Sequence, residues 1–259
     1  MKKIRYIICV AMAAIMLLAA AGCQGGEAPV EPANTAEPTA EPAEATAAQS
    51  EYNAKADEAY KAAVEKLVND KVFPNGEDTG FADDSSFGDM GENRYAIADV
   101  DSDGKDELII SFTTAPVAGE VEQVYGYNDA DGTLKLKLNE FPQVTYYTNG
   151  IAEVGWSHNQ GLAGDFWPYA LYRYDAESDS YQRIARVDAW DGRLHPQDYA
   201  GNPFPKDADV SGAGIVYYVA EDGELYGEDG AFAVAPMDQA DFEKWEASWQ
   251  GNASVVQYP

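Results

Sequence analysis

The feature that most restricts the fold is a series of short apolar runs between Arg94 and Tyr226, each too brief for a stable helix and each followed by turn chemistry. The runs are Arg94 to Ala98, Leu108 to Thr113, Val121 to Tyr127, Thr133 to Leu138, Gln143 to Thr148, Ile151 to Trp156, Pro168 to Tyr174, Tyr181 to Ala189, Gly214 to Val219 and Glu224 to Tyr226. Asn149-Gly150, Glu221-Asp222-Gly223 and the Asn128 to Gly132 turn connect several of them at hairpin distance. Hairpins in series predict an antiparallel meander.

Helical spacing occurs only at the two ends of this region. From Glu51 to Asp70 the apolar residues Tyr52, Ala56, Tyr60, Ala63, Val64, Leu67 and Val68 fall on one face, and Pro74-Asn75-Gly76 ends the run. Near the C-terminus Asp238 precedes a segment in which Phe242, Trp245 and Trp249 share a face, with Asp241 in the first turn. The predicted class is therefore α+β: mainly an antiparallel β meander, as a twisted sheet or incomplete barrel, with an N-terminal and a C-terminal flanking helix. Val124-Tyr125-Gly126-Tyr127-Asn128-Asp129 loosely repeats as Leu171-Tyr172-Arg173-Tyr174-Asp175-Ala176. Two copies fall short of the four or so blades a propeller requires.

The N-terminal fifth reads differently. Lys2, Lys3 and Arg5 precede an apolar run from Tyr6 to Ala21 and a small-residue exit before Cys23, the layout of a secretory signal peptide over residues 1–22. The run is shorter than the ~18 to 20 residues that span a bilayer. Residues 23–50, rich in Glu, Ala, Pro and Thr, have little apolar surface to bury and are predicted to form a disordered linker reaching up to ~80 Å. Residues 51–259 are predicted to form a single globular domain. The only other cysteine, Cys9, lies in the leader, so this domain has no internal disulfide. Leu17-Leu18-Ala19-Ala20-Ala21-Gly22-Cys23 resembles the lipobox of bacterial lipoproteins, with Ala20 where leucine is usual. That resemblance implies acylation of Cys23 and an extracytoplasmic protein lipid-anchored to the cell membrane.

With 45 acidic and 17 basic residues the net charge is −28, and it is about −31 once the three basic residues of the leader are removed. Such a balance excludes a nucleic-acid partner and disfavours anionic headgroups. A cation is the partner it favours.

The densest acidic segment is Asp99-Val100-Asp101-Ser102-Asp103-Gly104-Lys105-Asp106-Glu107, between two strand-like runs. Calcium takes six to eight oxygens, and alternate aspartates can turn three carboxylates inward while Gly104 permits a tight turn. An EF-hand is excluded, because its twelfth position is Ile110 here and the flanks are strands. The segment resembles the DxDxDGxxE calcium loops of FG-GAP and VCBS-type β repeats, and Tyr95 to Leu108 is similar to a phrase in bacterial surface lipoproteins. The resemblance implies Asp99, Asp101, Asp103 and Glu107 as side-chain ligands and Lys105 as a carbonyl ligand, with Asp106 turned away. It implies a structural Ca2+ of modest affinity, about 10⁻⁴ to 10⁻³ M. Asp129 and Asp131, and Asp175, Glu177 and Asp179, offer further carboxylates but read first as hairpin turns.

No catalytic constellation is visible. His158 and His195 lie in no metal-ligand spacing, Ser157 sits in no nucleophile elbow, and no Gly-rich phosphate loop occurs. Loops from Trp156 to Trp167 and from Trp190 to Tyr199 place aromatic rings beside amides and carboxylates, a composition that suits a sugar or peptide or simply closes the sheet ends. The expectation is a non-enzymatic, calcium-stabilised binding or interaction domain whose partner is a glycan, a peptide or an envelope protein. An extracytoplasmic hydrolase of glycan or peptide, and a structural cell-envelope component, are the alternatives.

Overall fold

The computed structural model describes residues 46–81, 87–116, 119–155 and 161–258. The leader, Cys23 and the linker through residue 45 lie outside the described residues, as do Trp156, Ser157 and His158. Among the described residues no helix is long and apolar enough to cross a membrane.

The first helix, α1, spans Ala47–Asp70 and starts four residues before the periodicity predicts. A reciprocal cap explains the earlier start: the Thr46 side chain accepts from the Gln49 N–H, and the Gln49 side chain accepts from the Thr46 N–H. Lys71 closes the helix in the left-handed conformation (φ +60°), donating its N–H to the Leu67 carbonyl.

Two antiparallel sheets follow in chain order. The first contains β1 (Arg94–Ala98), β2 (Glu107–Phe112), β3 (Val121–Asn128) and β4 (Thr133–Glu140). The second contains β5 (Thr145–Tyr147), β6 (Ile151–Gly155), β7 (Tyr169–Asp175), β8 (Ser180–Asp191) and β9 (Ile215–Ala220). Helix α2 (Gln239–Gln250) comes last. The predicted meander is thus present, as open sheets and not a closed barrel. The division falls at Pro142, which has no N–H for a ladder, and Gln143, which turns through φ +73°. The strand predicted over Glu224 to Tyr226 does not form. Tyr226 makes an isolated bridge to Phe232, and Gly227 and Gly230 bend the chain back between them.

The layers run α1, first sheet, second sheet, α2. Ala56, Tyr60 and Leu67 of α1 pack on Leu108, Ile110, Phe112 and Tyr125. The opposite face of the first sheet, with Ile109, Val124 and Leu138, meets Tyr146, Ala152, Val154 and Tyr181 of the second. The outer face of the second sheet, with Ile151, Leu171, Ala185 and Val187, receives Phe242, Trp245 and Trp249 of α2. These alternating contacts follow from the period-2 patterning of the strands. The edge strand β5 is covered by the C-terminal tail, where Val256 donates to the Tyr146 carbonyl and Thr148 to that of Ser254.

The sequence echo is structural. In the β3–β4 hairpin the register shifts between Val124 and Tyr125, leaving Lys137 as an extra residue between Leu136 and Leu138. In the β7–β8 hairpin it shifts between Leu171 and Tyr172, at the equivalent place, leaving Ile184 as the extra residue. Each shift is a β-bulge, which rotates the strand and re-aims the residues beyond it. Leu134 and Leu136 accordingly face α1, whereas Leu138 faces the second sheet.

Candidate functional site

The acidic segment forms the β1–β2 connection and is held by three elements. From α1, Tyr60 Oη donates to the Asp106 carbonyl at 2.8 Å, and Asn53 Oδ1 accepts from the Asp106 N–H at 3.1 Å. From β8, Tyr181 Oη donates to the Val100 carbonyl at 2.7 Å. From the β5–β6 turn, Gly150 lies so close that a Cβ there would sit 3.1 Å from the Asp101 carbonyl oxygen.

Within the loop Asp99, Asp101 and Asp103 each organise backbone. Asp99 accepts from the N–H groups of Ser102 and Gly104, Asp101 from that of Asp103, and Asp103 from that of Lys105. Gly104 has φ +85°, in the region that favours glycine, and presses against the Gln49 side chain at the start of α1.

Asp99, Asp101 and Glu107 converge, each bringing a carboxylate oxygen within 4.8 Å of the others. Oxygens bound to one ion at about 2.4 Å lie no farther apart than this, so the donor set fits a hard cation. The cluster is therefore able to hold a metal ion. The Asp103 carboxylate is not part of it. The Lys105 side chain turns away, its ammonium reaching Asp103 at 3.3 Å and lying over the Tyr52 ring, so both side chains line an adjoining cleft. Asp106 likewise stands outside the cluster, half-buried against α1.

One residue absent from the sequence reading dominates the site. Lys137, the bulge residue of β4, has a side chain only 4% exposed and places its ammonium 2.6 Å from Asp101 and 2.9 Å from Glu107, both fully buried. It also lies 3.2 Å from Asp179 and over the Tyr174 ring. Nothing local signals this. In Thr-Leu-Lys-Leu-Lys-Leu the alternation groups Lys137 with the exposed Lys135, and the two do share a face, since both ammoniums reach Asp179; Lys137 is the one that the β1–β2 loop covers. Gly126 makes room: a Cβ there would come within 2.3 Å of Lys137 Cε.

Electrostatics follow from burial. The Glu107 carboxyl is pushed up to about 8, first by desolvation and then by the Asp101 charge, against the Lys137 ammonium and the Val100 N–H. Asp101 is pushed up to about 6, again by desolvation, with Lys137 opposing. Asp99 rises through burial despite its two N–H donors. Desolvation works against the Lys137 charge, but Glu107 and Asp101 outweigh it and hold the ammonium protonated. One ammonium shared by two buried carboxylates does not offset the burial of both. When ionised, Asp99, Asp101 and Glu107 carry three negative charges against one on Lys137, an excess matching a divalent cation.

The cluster borders a cleft of about 620 Å³ walled by Tyr52, Tyr127 and Tyr174, with Lys105, Lys135 and Asp129 at its sides. The remaining carboxylates singled out from sequence are mostly turn-formers. Asp131 accepts from Thr133, and Asp175 accepts from Glu177 and Ser178. Asp179 instead turns towards Lys137. Burial raises its pKa, but the Tyr174 hydroxyl and the Lys137 ammonium together hold it below the usual carboxylate range. In the second aromatic loop, Trp190 is buried and donates to the His195 carbonyl, closing the apolar end of the second sheet, while Tyr199 is 62% exposed. Comparison of the chain with known protein families, with curated proteins and with solved structures returns no match.

Proposed function

We propose that the chain is an extracytoplasmic lipoprotein, anchored to the cell membrane through Cys23, whose folded unit is a non-enzymatic binding module stabilised by calcium. The observation that supports the cation is the buried convergence of Asp99, Asp101 and Glu107 with one ammonium among them. A divalent ion there would neutralise the excess charge and tie the β1–β2 loop to its neighbours, with Asp99, Asp101 and Glu107 as side-chain ligands. The leader, the lipobox-like segment and the Pro-rich linker support the anchor and the compartment, and calcium is available outside the cytoplasm at concentrations that suit a weak structural site.

A second reading rests on the short contacts of Lys137: its ammonium is itself the resident cation of a loop that needs no metal. Calcium titration followed by calorimetry and by melting temperature separates the two. Under the calcium reading, heat of binding and a rise in Tm appear at millimolar calcium and vanish with chelator or in Asp99→Asn. Under the lysine reading, neither appears in the wild-type chain. Mass spectrometry of the mature N-terminal peptide tests the anchor, and an unmodified cysteine would sink it.

A further inference from the structure

The buried group around Lys137 brings together an amine, an acyl carbon and a proton carrier. Lys137 Nζ stands 2.6 Å from Asp101 Oδ2 and 2.9 Å from Glu107 Oε1, with both carboxylates closed to solvent. The other oxygen of each carboxylate is held as well: Asp101 Oδ1 accepts from the Asp103 N–H at 3.1 Å, and Glu107 Oε2 from the Val100 N–H at 3.2 Å. The Tyr174 ring covers the ammonium and packs on the buried Tyr181, so aromatic surface walls the cluster on the side of the β7–β8 hairpin.

We propose that Lys137 and Asp101 condense to an amide, a covalent cross-link between β4 and the β1–β2 loop that the chain forms by itself with Glu107 as the proton carrier. In water an ammonium and a carboxylate outlast the amide because both ions are strongly hydrated. Burial has removed that hydration here, so conversion of two desolvated ions into a neutral amide and a water is favoured, and the water escapes to solvent. Holding the groups in contact supplies the effective concentration that amide formation between separate molecules lacks. Of the three acids at Nζ, Asp179 is 41% exposed and keeps its hydration. Glu107 belongs to the β1–β2 ladder, opposite Ala98, whereas Asp101 lies in the connection outside the ladder and is the closest of the three.

The step balances without a co-reactant. The ammonium, protonated at rest, passes one proton through Glu107 to Asp101 Oδ2, and the freed lone pair on Nζ attacks Asp101 Cγ. The electron pair displaced onto Oδ1 is met by the Asp103 N–H. A second Nζ proton follows the same route, the Cγ–Oδ2 bond breaks and Oδ2 departs as water. Oδ1 becomes the carbonyl oxygen of a secondary amide whose nitrogen keeps the third proton, and Glu107 ends as it began. The product ties the β1–β2 loop to β4 in a folded unit that contains no cysteine. An amide, unlike a disulfide, holds whatever the redox state of the compartment. The cross-link goes beyond the cation reading and does not rest on it: Asp101 keeps one oxygen, and amide carbonyls also ligate calcium.

The test is mass spectrometry of the purified full chain and of its tryptic digest after incubation at neutral pH. The chain should be lighter than its unlinked form by one water, about 18 Da. Trypsin should release residues 95–105 joined to residues 136–173, since an acylated Lys137 is no longer cleaved. Glu107→Gln, with the circular dichroism spectrum of the wild type, should lower the linked fraction at least about tenfold at equal incubation time. A wild-type chain that stays at full mass overturns the proposal. So does a loss of water confined to the linear peptide 95–105, which marks a succinimide at Asp103-Gly104, or a branch on Glu107 or Asp179. Undiminished linkage in Glu107→Gln overturns the proton route and the proposal with it. Linkage without a calcium response overturns the cation reading alone, and a calcium response at full mass overturns the cross-link alone.

Discussion

Replacing Lys137 by methionine keeps most of the volume of the side chain and removes its charge, leaving Asp101 and Glu107 buried around an apolar group. The geometry sets the scale: the ammonium stands 2.6 and 2.9 Å from two carboxylates that solvent does not reach. Removing one partner from such a buried pair costs about 3 to 5 kcal/mol, because the surviving charges keep their desolvation penalty without the compensating attraction. In a folded unit of this size each kcal/mol moves Tm by about 2 to 4 °C, so Lys137→Met should melt roughly 6 to 20 °C lower than wild type. Circular dichroism at neutral pH measures this directly. Adding Asp101→Asn and Glu107→Gln to Lys137→Met should restore much of the loss, since the buried charges are then gone. If calcium occupies the cluster, millimolar calcium should raise the Tm of Lys137→Met more than that of wild type. A drop below about 2 °C, or a triple variant no more stable than the single one, would show that the ammonium does not hold the loop in place and would refute the reasoning.

Two other perturbations probe the same principles elsewhere. Gly126→Ala places a methyl against Lys137 Cε and should cost about 1 to 3 kcal/mol through overpacking. In a Lys137→Ala background its effect should fall below about 0.5 kcal/mol, so chemical denaturation of all four chains tests the contact. Asp188, buried in β8, has its carboxyl pushed up to about 6 by burial, which the Tyr226 hydroxyl and the Ala189 N–H only partly offset. Its folded pKa exceeds the unfolded value of about 3.9, so the native state holds the extra proton between them, and this contribution to stability falls as pH rises from about 4 to 6. Asp188→Asn should therefore gain on wild type by up to about 3 kcal/mol across that window and level off above it. A difference that stays constant from about pH 4 to 8 would rule this out.

Most elements of the fold are readable locally. The β1 segment Arg94–Ala98 alternates and is bounded by Asn93 and the acidic turn, and α2 begins directly after Asp238, with Phe242, Trp245 and Trp249 on its buried face. The errors lie where local pattern competes with tertiary contact. The start of α1 depended on a cap made by Thr46 and Gln49 in a segment whose composition reads as linker. Leu225 and Tyr226 are apolar enough for a strand, but Leu225 is buried in the apolar cluster around Trp190, and its neighbours form a glycine turn in place of a ladder.

By itself the sequence determined the order of strands, the helices at both ends and the Asp-rich turn with Gly104 at its tight point, because alternation, capping and turn chemistry act over a few residues. It also placed three of the five ligands it nominated, Asp99, Asp101 and Glu107, close enough to share an ion. Tertiary structure alone decided what meets those carboxylates. Lys137 stands 36 residues from Asp101 and 30 from Glu107, and it is buried because the β1–β2 loop and the β7–β8 hairpin close over its face of β4. Alternation sets which face a side chain takes, and what packs on that face decides whether it is buried, so the ammonium that completes the site was fixed by the layers around Lys137 and not by the residues beside it.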